Sequence, residues 1–397
     1  MRMLPLAGIR VIEVGTVLMA PYAGQWLADM GADVIKVEPP GGDQTRITGP
    51  AVEPGMAAMF LALNRNKRSI VLDLADAGER KSLVRLIASA DVVMHNIRHQ
   101  KLVKLGLDAE TLTARHPRLV YAALQGFSPA GRYGTRPAYD DIIQGMSGTA
   151  DLIRRQTGTL RYAPMALADK ISGIVAAMAI AAALAGRERT GRGTVVEAPM
   201  FETMVAFNMV ENFGGSHFGN ECANMGYGRT LAGERGPYRT SDGHISFMPY
   251  TDRQWRAFFA HIGREELADD ARFIDLSART DNIDTLYGLL AETLLTRTSA
   301  EWLAFADAAE IPTAPVLSLE EILGDAHLAE TGFFAETEDA AMGKLRYPGV
   351  PVRFGGERPP VRQPPRLDEH RDEILAELDG LDAEAKNTSE KQEGVRR

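Results

Sequence analysis

Asp169 is the carboxylate whose surroundings best suit chemistry. It stands in PMALADKISGIVAAMAIAAALAG, ahead of a run of small apolar residues. The 15 residues from Ile171 to Ala185 carry one hydroxyl, one Gly and no charge. An Asp just before such a run is expected at a helix N-cap. The same place holds a carboxylate as an anion, beside free N–H groups and the positive end of the helix dipole. A nucleophilic carboxylate needs that setting, and a plain cap uses it too. Two basic segments come next. NRNKRS (64–69) holds Arg65, Lys67 and Arg68, and NIRHQKLVKLG (96–106) holds Arg98, Lys101 and Lys104. Singly they read as solvated loops; together they suit a polyphosphate ligand. The 8 His residues show no HExxH or paired spacing, and the single Cys222 excludes an intrachain disulfide framework and a CxxC site. No metal site is expected. The lone Cys fits a reducing compartment, and a cytoplasmic location is expected.

The elements that must position these groups alternate in the first half of the chain. Strands are expected at 8–14, 32–38, 69–74, 91–96 and 119–124, with helices at 21–30 and 77–88 between them. Such alternation with short connections points to a parallel sheet covered by helices. The strands are largely apolar, as sheets buried on both faces require. Ligands of such sheets sit at the carboxyl ends of the strands, where Glu38, Asn96 and Gln125 stand. No GxGxxG follows the first strand, and no Lys-Ser/Thr follows PPGGDQTR (39–46), so dinucleotide and P-loop readings are weak. The net charge of −9 argues against a nucleic-acid partner. MRMLPLAG does not read as a signal segment. The run after Asp169 is short for a membrane span and reads as a buried helix.

Beyond residue 190 the pattern changes. TVVEAPM (194–200) reads as a strand, and FETMVAFNMVENFGG (201–215) as a Met- and aromatic-rich helix suited to core or subunit interface. Residues 214–237 are Gly-rich and read as a linker with a mobile loop. PYRTSDGHISFMPY has strand–turn–strand form, TDRQWRAFFAHIG reads as a capped amphipathic helix, and 311–318 as a strand. Residues 347–365 are extended and Pro-rich, 367–378 form a closing helix, and the charged tail is expected to be disordered. The domain boundaries expected are 1–213 for a large domain, 214–237 for the linker, 238–330 for a small α+β domain, 331–380 for a return segment on the large domain and 381–397 for the tail.

Read in order, the chain resembles the family III CoA-transferases, a group that also includes α-methylacyl-CoA racemases. The resemblance is carried by APYAGQWLADMGADVIKVEPPGGD, LNRNKRSIVLDL, the HNIR and KLGLD pieces, GRYGTRPAYDDIIQGMSG, ALADKISG and RTGRGTVVEAPMFE. It implies an α/β fold: a Rossmann-like large domain built from both chain ends, a smaller α+β domain, and two chains interlocked as a homodimer. It implies Asp169 as the nucleophile and coenzyme A as a substrate, with no resident cofactor. The partners implied are an acyl-CoA and a carboxylic acid, with no membrane. Asn96 and Ile97 match a pair beside the nucleotide, Arg98 and Lys104 match basic positions near its phosphates, and Leu72 and Leu105 match apolar positions flanking the adenine. Tyr139 and Leu18 fall at the acyl pocket. Pro39 replaces a basic residue of some members, and Leu18 stands where the formyl-CoA enzyme has a Gln.

The chemistry implied is covalent catalysis by a carboxylate, through mixed anhydrides and an aspartyl-CoA thioester. The stretch from Gly214 to Gly236 reads equally as a flexible linker and as a source of oxyanion donors. A racemase needs two proton carriers. In RPAYDDIIQ the residue at the position of the racemases' His is Tyr139, whose ordinary pKa near 10 makes it a poor base. The transferase reading is therefore preferred, with racemase and non-catalytic thioester-binding protein as alternatives. A dicarboxylate substrate would need a cation near Asp169, for which Arg136, Arg161 and Arg229 are candidates.

Overall fold

The computed structural model describes residues 3–219 and 225–395, with side chains to Glu384. Two compact units form. The first comprises residues 1–147, 164–206 and 329–397; the second comprises 148–163 and 207–328. Residues 148–163, expected in the large domain, therefore belong to the second unit. Their helix, Thr149–Thr157, is bounded by Gly148 and Gly158, both in the left-handed conformation that glycine adopts without cost.

The first unit is built on six parallel strands: β1 (Arg10–Val14), β2 (Asp33–Glu38), β3 (Arg68–Val71), β4 (Val92–His95), β5 (Val120–Gln125) and β6 (Val195–Pro199). Their order is β3-β2-β1-β4-β5-β6. This doubly wound order reverses between β1 and β4, leaving a crevice at their carboxyl ends. Alternate strand residues feed two cores. Val11, Val92 and Met94 join the helices Met19–Asp29 and Leu167–Thr190 on one face. Ile12, Val93 and Leu72 join Leu83, Leu86, Leu112 and Ile374 on the other.

The edge strand β3 is covered by the returning chain. His370 N–H donates to the Ser69 carbonyl, Val71 N–H donates to Asp368, and Arg68 pairs with Asp33, Glu373 and Glu377. An uncovered parallel edge would invite pairing with another chain. The closing helix runs Arg371–Val395, so the tail expected to be disordered is helical to Val395. Its Ala, Glu, Lys and Gln content is strongly helix-forming. The return segment expected at 331–380 also forms a hairpin of Phe334–Asp339 and Gly343–Pro348, which the sequence patterning does not announce. The second unit pairs Tyr238–Arg239, His244–Phe247 and Thr313–Pro315 as antiparallel strands. Its core gathers Trp255, Phe258, Phe259 and Trp302.

The segment NRNKRS is not a ligand-facing basic loop. Arg65 pairs with Asp29 at 2.7 Å, Lys67 with Glu13 at 2.8 Å and Arg68 with Asp33 at 2.6 Å. Each cation meets a carboxylate placed by β1, β2 or the helix that follows β1, and Lys67 is fully enclosed. The polyphosphate reading fails for this half of the basic text.

Candidate active site

Asp169 lies in the first turn of Leu167–Thr190, three residues inside the helix rather than at its N-cap, which is Ala166. The cap function comes from elsewhere. Asp140 accepts the Asp169 backbone N–H at 3.0 Å and also accepts from Gln144. This frees the Asp169 carboxylate to turn toward the helix Met19–Asp29, where the nearby Met19 N–H helps to hold it as an anion. The two helices meet closely because of Gly173, one turn further on: a Cβ there would stand 2.9 Å from the Met19 carbonyl oxygen. Ala176, Ala177, Ile180 and Leu184 continue that buried face.

Burial pushes the Asp169 carboxyl up to about 6, the nearby Asp140 charge adds to this, and the Met19 N–H opposes it. Asp169 is thus ionised at neutral pH yet poorly solvated, which favours nucleophilicity.

The carboxylate borders a cavity of about 280 Å³ lined also by Thr16, Val17, Leu18, Met19, Asn96, Arg98, Gln125, Arg136 and Tyr139. The predicted pair Leu18 and Tyr139 is therefore brought together with Asp169. Tyr139 is exposed and gives its backbone, not its side chain, to the helix Asp140–Met146. No His and no second carboxylate stands among the described lining residues.

A second cavity, of about 460 Å³, is lined by Val37, Pro39, Leu72, Ile97, Lys101 and Leu105, among others. Thr16 and Asn96 line both cavities. These two residues follow β1 and β4, so the shared wall is the topological switch point of the sheet. Asn96 Nδ2 donates to the Thr16 carbonyl at 2.7 Å, and Thr16 N–H donates to Asn96 Oδ1 at 3.2 Å. The amide of Asn96 is committed to this exchange, so it pins two loops. Leu72, Leu105 and Ile97 sit together, whereas Arg98 faces the Asp169 cavity. Lys104 is exposed and lines neither cavity; Lys101, one helical turn earlier, lines the second. Helical spacing in HQKLVKL (99–105) was the available signal for Lys101.

Behind the wall lies a charge network that the sequence reading missed. Lys36 is enclosed with Glu13 at 3.0 Å and Asp43 at 2.8 Å, and it donates to the Gly15 carbonyl at 2.9 Å. Asp43 also accepts the Val17 N–H at 3.2 Å. Burial works against the Lys36 ammonium, but Glu13, Asp43 and Glu38 together push its pKa up to about 12. Burial would likewise raise Glu38, yet hydrogen bonds from Arg46 and the Lys36 charge hold it below the usual range. Glu38, a strand-end candidate, is thereby spent on Arg46. The network holds Val17 at φ +71°, a left-handed conformation that is costly for a β-branched residue. The strain sits in the cavity wall itself.

The Gly214–Gly236 stretch belongs to the second unit, and residues 220–224, including Cys222, lie outside the described residues.

Comparison with known proteins accounts for this arrangement. The model of CoA-transferase family III matches residues 6–371. The chain is 34% identical to the succinate–glutarate CoA-transferase of Agrobacterium fabrum, over 96% of this chain and 97% of that one. It is 34% identical to the acetyl-CoA:oxalate CoA-transferase of Acetobacter aceti, over 92% and 93%. Among solved structures, a CAIB/BAIF family protein from Brucella suis superposes with a TM-score of 0.79 at 33% identity, covering 95% of this chain and all of that one. A carboxylate at the mouth of a helix pair, beside a doubly wound sheet and matched along nearly its whole length, places this chain in CoA-transferase family III, the enzymes that move CoA between acids.

Proposed function

We propose that Asp169 carries CoA during the transfer, as an aspartyl-CoA thioester. Its carboxylate attacks the carbonyl carbon of the donor thioester. The C–S bond breaks, CoA leaves as a thiolate, and a mixed anhydride joins Asp169 to the donor acid. The thiolate attacks the aspartyl carbonyl, and the donor acid departs as a carboxylate. The acceptor carboxylate then attacks the aspartyl thioester and expels the thiolate. Finally the thiolate attacks the acyl carbon of the new anhydride, which frees both the product thioester and the Asp169 carboxylate. The Met19 N–H beside the resting carboxylate is placed to stabilise the oxyanion formed at the aspartyl carbonyl.

The observation that carries this reading is the pairing of the two cavities across Thr16 and Asn96. The adenine fits the apolar side, between Leu72, Ile97 and Leu105, with Lys101 and Arg98 toward the phosphates. The thioester end passes the shared wall to reach Asp169. The lining favours transfer over racemisation, because among the described lining residues no His or second carboxylate accompanies Asp169 to act as a second proton carrier.

The test is chemical trapping. Wild-type protein incubated with an acyl-CoA, then treated with borohydride or hydroxylamine, should yield a modified Asp169 in peptide mass spectra. Asp169→Ala should abolish transfer and trapping while still binding CoA. Turnover surviving in folded Asp169→Ala protein would rule the nucleophile out. We further propose a homodimer, interlocked as the resemblance implies. It is supported by the apolar side chains that the helix Leu167–Thr190 leaves exposed, Ile174 at 43% and Met178 at 64%.

A further inference from the structure

We propose that Asp43, behind the cavity wall, is a positioning residue for the transfer: it locks Val17 in a left-handed turn that aims the Met19 N–H at Asp169. The proposal rests on Asp169 as the nucleophile and adds the group that keeps its oxyanion donor in place. The wall between β1 and the helix Met19–Asp29 is gripped by side chains. The Gly15 carbonyl accepts from Lys36 at 2.9 Å, and the Val17 N–H donates to Asp43 at 3.2 Å. Between them, both polar groups of the Thr16 backbone bond the Asn96 amide. Beyond the turn, Lys67 donates to the Pro21 carbonyl at 2.7 Å. Lys36 and Lys67 share Glu13, and Lys36 also pairs with Asp43. One buried charge network therefore holds the wall before and after Val17.

Val17 is the strained point. A β-branched residue keeps a φ of +71° only when its surroundings over-determine it. Of the four non-Gly residues at positive φ among the described residues, Val17 alone is β-branched and alone lines the Asp169 cavity. The turn decides how the chain enters the helix. Leu18, the N-cap residue, makes no side-chain cap bond, so the N–H groups of the first turn are not capped from within the loop. The Met19 N–H lies beside the Asp169 carboxylate instead. If Val17 relaxed to a negative φ, the chain would enter the helix from another direction and this N–H would swing away. Asp43 itself is fixed. It is buried, it accepts from the Thr45 N–H and hydroxyl at 2.9 Å each, and its own N–H donates to Glu38 at 3.0 Å. It lines neither cavity, so it acts on the reaction through the wall.

Every group that meets the Asp43 carboxylate is a donor: Lys36, both Thr45 groups and the Val17 N–H. In Asp43→Asn a single amide oxygen remains, and the charged Lys36 takes it. The amide NH2 then faces the Val17 N–H, and the turn loses its acceptor. Two effects on Asp169 follow, of opposite sign. Removing the Asp43 charge would by itself lower the Asp169 pKa, since an anion is gone. Removing the Met19 N–H raises it, because that N–H opposes the upward shift. Asp140 faces Asp169 from the helix Asp140–Met146, and Arg98, Arg136 and Tyr139 face it from the cavity wall. None of these is among the described partners of Asp43, so a raised pKa reports the Met19 N–H.

The test titrates Asp169 directly. Protein labelled with carbon-13 at the aspartate carboxyls is followed by NMR across pH, and Asp169→Asn identifies the signal. The unmodified enzyme should titrate at about 6. Asp43→Asn should raise the midpoint to roughly 7, the worth of one hydrogen bond to a charged group. It should also slow aspartyl-CoA formation from succinyl-CoA by on the order of 10- to 100-fold, with KM changed by less than about 3-fold. Adding Val17→Gly should return the midpoint toward about 6 and recover part of the rate, because glycine holds the left-handed turn without help. Val17→Pro removes the N–H and fixes φ near about −65° while leaving the buried ion pairs in place. It should raise the midpoint in the same way, and it decides the matter if Asp43→Asn does not fold. A slower rate with an unmoved midpoint would assign Asp43 to stability and overturn the proposal. So would a raised midpoint that Val17→Gly does not restore. Failure to trap aspartyl-CoA would strike the Asp169 reading, while the titration, which needs no substrate, would still judge Asp43.

Discussion

At the scale of single residues, the site depends on how Asp169 is held as an anion. Burial and Asp140 move its pKa from 3.8 to about 6. In the mechanism proposed above the reacting form is the carboxylate, so the rate of aspartyl-CoA formation should rise with pH through about 6 and level off above it. A profile flat from pH 5 to 8 would contradict this assignment. The same shift has a stability consequence. The native state binds the Asp169 proton more tightly than the unfolded chain, so its contribution is fully present below 3.8 and is lost as pH rises through about 6. Asp169→Asn should therefore melt above wild type at pH 7.5, by up to about 3 kcal/mol. That advantage should shrink toward pH 4, as thermal denaturation across the range would record. Equal melting at all pH values would mean that the carboxylate is not strained by its surroundings.

The helices do the positioning, and one glycine makes their contact possible. Gly173 brings Leu167–Thr190 against Met19, so the Met19 N–H reaches Asp169. Gly173→Ala would put a methyl against a backbone carbonyl, which has no rotamer to yield with. The helices should part slightly, at a cost of about 1–3 kcal/mol. Transfer should fall much further, on the order of 100-fold, since a displacement near 1 Å at the reacting centre costs that much. Gly186→Ala provides the matched control on the same helix, with open space where its Cβ would go. It should keep full activity and gain about 0.5–1 kcal/mol of stability. Circular dichroism melts and steady-state exchange rates on the two variants separate helix propensity from helix contact. Activity equal in both would show that the approach at Gly173 does not matter.

On the scale of the molecule, the apolar helix is the element that the proposed homodimer would cover. One face packs in the core of the first unit, while Ile174 and Met178 are exposed. In the proposed dimer a second copy of the chain would cover this surface. Met178→Lys should shift the protein toward monomer in light scattering or mass photometry, with aggregation rising in the monomer fraction. An unchanged mass, with wild-type melting, would leave Met178 outside any interface. The buried network of Glu13, Lys36, Asp43 and Lys67 acts at this scale too. It joins the end of β1, the middle of β2 and the loops after them into the wall of the crevice.

The α/β class, all six strands of the sheet and the candidacy of Asp169 were legible in the sequence, because strand runs and a helix-leading Asp are local patterns. The family resemblance put Leu18 and Tyr139 at the acyl pocket, and both line the cavity of Asp169. What the chain could not declare was where each charge would be spent. Arg65, Lys67 and Arg68 look like a ligand loop until the fold sets Asp29, Glu13 and Asp33 against them. Lys104 and Lys101 are equivalent in spacing until the helix turns only one of them to a cavity. Arg136, Arg161 and Arg229 are equal candidates until only Arg136 lines the cavity of Asp169. Even the cap of the Asp169 helix comes from Asp140, 29 residues earlier. Periodicity is a property of neighbours along the chain, whereas pairing, burial and the raised pKa of Asp169 depend on groups brought together across it. Only the tertiary structure supplies those distances.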